Sequence, residues 1–110
     1  MSNHDEIRLL HMRDATIEAI EFSQSYSRAD LDTNRMLVLA LVKSIEIIGE
    51  AAYQVSEQTK EQYQEIPWAN IIGMRHRLVH AYFDINLDIL WQTVQSDLPA
   101  LLSILDRILP

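Results

Sequence analysis

The stretch Arg75-His76-Arg77-Leu78-Val79-His80-Ala81-Tyr82 gathers obligate cations, two imidazoles and a phenol into one short segment. An imidazole titrates near neutral pH and can either give or take a proton. A guanidinium keeps its charge and offers a fork that matches two oxygens of a phosphate or carboxylate. Together these groups suit proton transfer beside an anion. On a helix, residues three, four and seven apart share a face. Arg75 then shares its face with Ile71, Ile72, Leu78, Val79 and Tyr82. A cation in such an apolar stripe must be paired or must face a water-filled cleft. His76 and His80 fall one turn apart on a neighbouring face, and Tyr82 lies two turns below Arg75, nearly in line with it. Two readings stay open on these residues alone. Arg75 is half of a structural ion pair, with Glu46 or Glu50 as the acid and the histidines as caps or core residues, or the cluster is a reactive site.

The elements that must position this segment read as helices. Ile7, Leu10, Ile17, Ile20 and Tyr26 recur at helical spacing and predict a first helix over about Asp5 to Ser25. Asp5 and Glu6 sit where the positive end of that helix favours acids. After a polar break over Ser25 to Asp32, Asp32 or Thr33 is the expected N-cap of a second helix that runs to about Ser56. Met36 to Val42 is apolar on every side, which places this helix at the centre of the fold or shares it with a partner. Thr59 to Ile66 reads as a polar segment with one short helical turn. Pro67 suits the first turn of a third helix extending to about Tyr82. Asp84 or Asn86 would cap a fourth, Leu87 to Leu109, with Pro99 kinking or splitting it. The expected product is an all-α, up-and-down bundle of four main helices in a single domain spanning residues 1–110. Trp68 and Trp91 neighbour apolar residues and are expected as core or interface anchors.

Bulk properties narrow the function. The chain has 110 residues, of which 48% are apolar, enough for one packed core. Only 2 Gly and 3 Pro favour long helices over a turn-rich sandwich. With 0 cysteines, disulfides, thiolate metal sites and thiol nucleophiles are excluded, which fits a reducing cytoplasm. His4 and His11 lack the companions of a metal site, so no metal or other cofactor is expected. The longest apolar run, Met36 to Val42, is too short for a membrane span, and the first residues lack the order of a signal peptide. A net charge of −7 disfavours coating a nucleic acid through a basic surface. Nucleic-acid chemistry would have to sit in a cleft or depend on a partner.

Arg75 through His80 resembles the R-x-x-x-x-H motif of the HEPN superfamily, and Tyr82 extends it to the R-x-x-x-x-H-x-Y form of HepT-like ribonuclease toxins. The surroundings are similar too. Pro67, Trp68 and Asn70 lead the preceding helix, Asp84, Trp91, Val94, Asp97, Leu98 and Pro99 follow, and Lys43 to Ala52 looks like the family's second helix. The resemblance covers the chain from about Arg35 onward.

That resemblance implies a HEPN-like bundle with a metal-independent endoribonuclease site. The ribose 2′-hydroxyl attacks the adjacent phosphate and the 5′-oxygen leaves. Arg75 would clamp phosphate and His80 would act as acid/base, while His76 and Arg77 position RNA and Glu46 orients Arg75. A two-fold homodimer would set two such pairs across one cleft, supplying base, acid and two cations. Tyr82 would accept adenylyl groups from a nucleotidyltransferase antitoxin, and the added charge and bulk would repel RNA. Alternatives are a non-catalytic subunit that binds a nucleotidyltransferase and helps bind nucleotide or substrate, and a plain helical dimerisation module.

Overall fold

The computed structural model describes residues 1–81 and 83–110. Six α-helices, two short strands and two tighter or wider helical segments follow one another among the described residues. Helix α1 (Asn3–Ser23) is capped by Ser2, whose hydroxyl accepts from the Asp5 N–H at 3.1 Å. A 3-10 turn (Arg28–Asp32) fills the expected polar break. Helix α2 (Arg35–Gln54) starts later than predicted, because Asn34 rather than Asp32 or Thr33 supplies the cap, its Oδ1 accepting from the Leu37 N–H at 3.0 Å. Helix α3 (Glu57–Gln62) is short.

Helix α2 is the centre of the bundle. It packs against α1 on one side and against α4 (Trp68–Leu78) on the other, while α6 (Leu98–Ile108) packs on α1. Leu41, Ile45, Ile48 and Ala52 of α2 are buried, with Leu9, Met12, Leu78, Leu90, Leu98 and Leu105 around them. The buried side of α1 is turned from the expected one. Leu9, Met12, Ala15, Thr16 and Ala19 are covered, whereas Ile7 is 49% and Tyr26 44% exposed. The alanines explain the turn: α1 is held between α2 and α6, and small side chains let both approach closely. Trp68 and Trp91 pack on the core as expected, with Trp68 Nε1 donating to the Tyr63 carbonyl at 3.1 Å.

The third main helix corrects the reading of the reactive segment. It ends at Leu78 rather than Tyr82, and Val79–Ala81 forms strand β1, paired antiparallel with β2 (Asp84–Ile85). Val79 is β-branched and adopts an extended conformation at the helix end, where the Asn86 N–H donates to the Leu78 carbonyl at 2.7 Å. His76 and His80 therefore do not share a helix. Asn86, one of the two expected caps, starts the last rod: α5 (Leu87–Gln92), a π-helical segment (Thr93–Asp97) and α6. The kink foreseen at Pro99 takes that π form. Proline has no N–H for the carbonyl four residues back and its ring collides with it, and the widened turn just before it makes room, with the Leu98 N–H reaching back to Thr93. Among the described residues no helix is long and apolar enough to cross a membrane.

One buried acid ties the start of α1 to the junction of α2 and α3. Asp5, 3% exposed, accepts from the Ser56 N–H (3.0 Å), the Ser56 hydroxyl (2.6 Å) and the Thr59 hydroxyl (2.7 Å). The two hydroxyls, Ser56 first, hold its pKa down from 3.8 to about 2 against the opposing effect of burial. Because the folded value is depressed, the stabilisation is present above pH 3.8 and is lost as pH falls through about 2. Asp5→Ala should cost about 2–3 kcal/mol in urea unfolding at neutral pH, a range set by hydrogen bonds to a charged group. The gap between variant and wild type should close in acid over that same window.

Candidate active site

Arg75 stands in the last turn of α4 and reaches across to α2. Its Nε donates to Glu46 Oε1 at 2.6 Å, and Glu46 Oε2 lies 3.9 Å from Lys43 Nζ. Of the two acids left open by the sequence, Glu46 is the one that pairs. The pair is not sealed: the Arg75 side chain keeps 37% of its exposure and Glu46 15%. Both open onto a groove of about 480 Å³ between α2 and α4, lined also by Gly49, Glu50, Tyr53 and His76.

The groove exists because α2 and α4 approach closely at Gly49. A Cβ there would lie 3.3 Å from the Ile71 carbonyl oxygen and 3.6 Å from that of Ile72. Any side chain larger than a methyl would push the helices apart just one turn from the Arg75–Glu46 pair. Antiparallel packing then sets Glu46 opposite Arg75 when Gly49 is opposite Ile71 and Ile72.

The structure brings together three of the expected site residues, Arg75, His76 and Glu46, in one groove. It does not bring Arg77 there. Arg77 lines a separate hollow of about 360 Å³ between α4 and α6, with Asp97 and Glu65 at its rim. His80 is exposed on β1, with its neighbour Val79 buried, and is not among the groove's lining residues. Tyr82 lies outside the described residues. Tyr53, 69% exposed, and Gln54 were not singled out by sequence reading. Their signal was present: Glu46, Glu50, Tyr53 and Gln54 fall at i, i+4, i+7 and i+8 on one face of α2.

Chemically, the groove offers a fixed cation oriented by a carboxylate and an imidazole open to solvent, with a second solvent-facing imidazole on the adjacent hairpin. That set can hold an anion and exchange protons with it. No group of three or more candidate metal ligands occurs among the described residues.

Comparison with known proteins places this arrangement in context. A family model described as "Ribonuclease HepT-like" matches residues 12–108. A Methanocaldococcus jannaschii protein named "Putative RNase MJ1380" is 31% identical over 100 residues, covering 90% of this chain and 92% of that protein. "Probable ribonuclease HepT" of Thermococcus cleftensis is 36% identical over 88 residues, covering 76% and 80%. "Putative RNase TTE0752" of Caldanaerobacter subterraneus subsp. tengcongensis is 38% identical over 82 residues, covering 74% and 73%. No solved structure matches the chain significantly.

Gly49→Leu should separate α2 from α4 and take Arg75 away from Glu46. Thermal or urea unfolding should show a loss of about 1–3 kcal/mol, the usual cost of overpacking a tight contact.

Proposed function

The chain belongs to the HepT-like ribonuclease family, and from that premise we propose that it is a metal-independent endoribonuclease that works as the toxin of a toxin–antitoxin pair. The observation that carries the reading is Arg75, braced by Glu46 yet open to a groove shared with His76. RNA is the substrate. A base takes the proton of a ribose 2′-hydroxyl, whose oxygen attacks the adjacent phosphorus. The P–O5′ bond breaks, an acid protonates the leaving 5′-oxygen, and a 2′,3′-cyclic phosphate and a 5′-hydroxyl result. Arg75 holds the non-bridging oxygens as charge accumulates on them. His80 serves as acid/base, and His76 and Arg77 position the strand. Arg77 does this from the α6 side of α4.

One chain supplies one such set, and two proton transfers ask for two copies of the acid/base, His80. A homodimer meets that need. Exposed apolar side chains support it: Phe83 of the hairpin is 90% exposed, and Met36 (83%) and Leu39 (40%) of α2 are exposed as well. Covering those side chains with a second copy would remove apolar surface from water and bring two copies of the motif to one seam.

Arg75→Ala and His80→Ala should each lower the rate of RNA cleavage by about 10²–10⁴-fold, the range for loss of an electrostatic or acid/base group. Circular dichroism should be unchanged, and a chelator should leave the wild-type rate intact. Cleavage retained in both variants would remove the assignment.

Tyr82 is proposed as the acceptor of an adenylyl group from a nucleotidyltransferase antitoxin. A phosphodiester-linked AMP beside the motif would add negative charge where an RNA phosphate must bind. Co-expression with such a partner should add one adenylyl mass to the intact chain, absent in Tyr82→Phe. Neutralisation without any mass change would reject this mode of control.

A further inference from the structure

On α1, His4, Arg8 and His11 fall at i, i+4 and i+7 and so share one helical face. His4 and His11 are exposed, and Arg8 is half-buried with Nη2 3.4 Å from His4 Nε2. Arg8 and His11 line a second open groove, about 330 Å³, against Ile47, Glu50 and Gln54 of α2. Glu50 and Gln54 also line the groove that holds Arg75 and His76. The two grooves therefore flank a single ridge of α2, one on the α1 side and one on the α4 side. The chemistry derived above uses no polar group of α1.

Arg8 is only partly paired within the chain. Its Nε is buried and, among the described residues, is the side-chain nitrogen or oxygen atom that lacks any hydrogen-bond acceptor or donor. A buried donor left unpaired is costly, and a guanidinium in that state gains by swinging onto an anion. Two imidazoles on the same stripe add ring N–H donors. In a chain of net charge −7, such a grouping of basic side chains beside the candidate site is where a polyanion can be held.

We propose that the α1–α2 groove is a second phosphate subsite, binding a backbone phosphate of the RNA strand that flanks the one engaged at Arg75. Arg8 is its permanent cation and His4 and His11 are its additional donors. The inference rests on the ribonuclease reading and says how an acidic chain holds its substrate: at two separate grooves, each with one arginine, either side of the Glu50–Gln54 ridge, the Glu50 carboxylate being shared between them. Contacts of this kind set where the strand lies and carry no base preference.

The test is binding of a fluorescent 2′-O-methylated RNA, which cannot be cleaved, by the full chain over a series of salt concentrations. Arg8→Gln with His11→Gln should weaken binding by about fivefold or more and reduce the salt slope by about one. Arg8→Lys with His11→Lys should keep both. His4→Gln with His11→Gln, which alters exposed residues only, gives the same direction without touching the half-buried arginine. Unchanged affinity and slope in the glutamine variants would overturn the subsite, as would a wild-type chain that binds polyglutamate in this groove and no RNA. Cleavage of the unmodified RNA is scored separately: a wild-type chain that binds the methylated strand through Arg8 but never cuts the natural one keeps the subsite and removes the ribonuclease reading.

Discussion

The bracing of Arg75 by Glu46 is the contact on which the rest of the site depends. A guanidinium on a helix that faces an apolar neighbour needs a carboxylate or water. Glu46 provides the carboxylate at 2.6 Å, and it can do so because Gly49 lets the backbone of α4 lie close against α2. The exposure retained by Arg75 matters as much as the pair. A sealed pair would be structural, whereas a braced and accessible cation has lost rotameric freedom before its anion arrives and still has a surface to present.

Much of the fold was legible because the helices are long and strongly patterned. The all-helical class, the central place of α2 and the distortion before Pro99 follow from apolar runs, scarce glycine and the missing proline N–H. The errors have physical causes. On α1 the larger aliphatics Ile7 and Ile17 drew the predicted core face, while burial follows Ala15 and Ala19, which permit contact with two helices at once. Periodicity reports which side is apolar and cannot say which side two neighbours will crowd. Asp5 read as an acid favoured by the helix dipole, and its partners Ser56 and Thr59 are far along the chain, so the buried network was invisible in local sequence.

The site was legible in its parts and less so in its arrangement. Arg75, His76 and Glu46 were singled out from type and spacing and meet in one groove. Arg77 is only two residues from Arg75, yet two residues on a helix is more than half a turn, and it faces α6 instead. The acidic balance of the chain argued against a basic coat, and its basic side chains are accordingly few and largely paired with acids, as Arg75 with Glu46 and Arg28 with Asp88.

The helix end at Leu78 gives the motif its geometry. At 3.6 residues per turn, five residues of continuous helix would rotate His80 by about 140° from Arg75, so a rigid helix through the whole motif would aim the guanidinium and the imidazole away from each other. Ending α4 between them releases that constraint. Arg75 stays on a packed element, where Glu46 can hold it. His80 moves to a strand whose alternation, Val79 buried and His80 exposed, turns the imidazole outward from the fold. The imidazole stands on a two-stranded hairpin beside Phe83, itself 90% exposed, so the proposed role of His80 asks for a second copy to cover it. The break in the helix and the apolar exposure beside it fit the proposed reading together: Arg75 is held on a packed helix, while His80 stands on a strand that faces away from the fold.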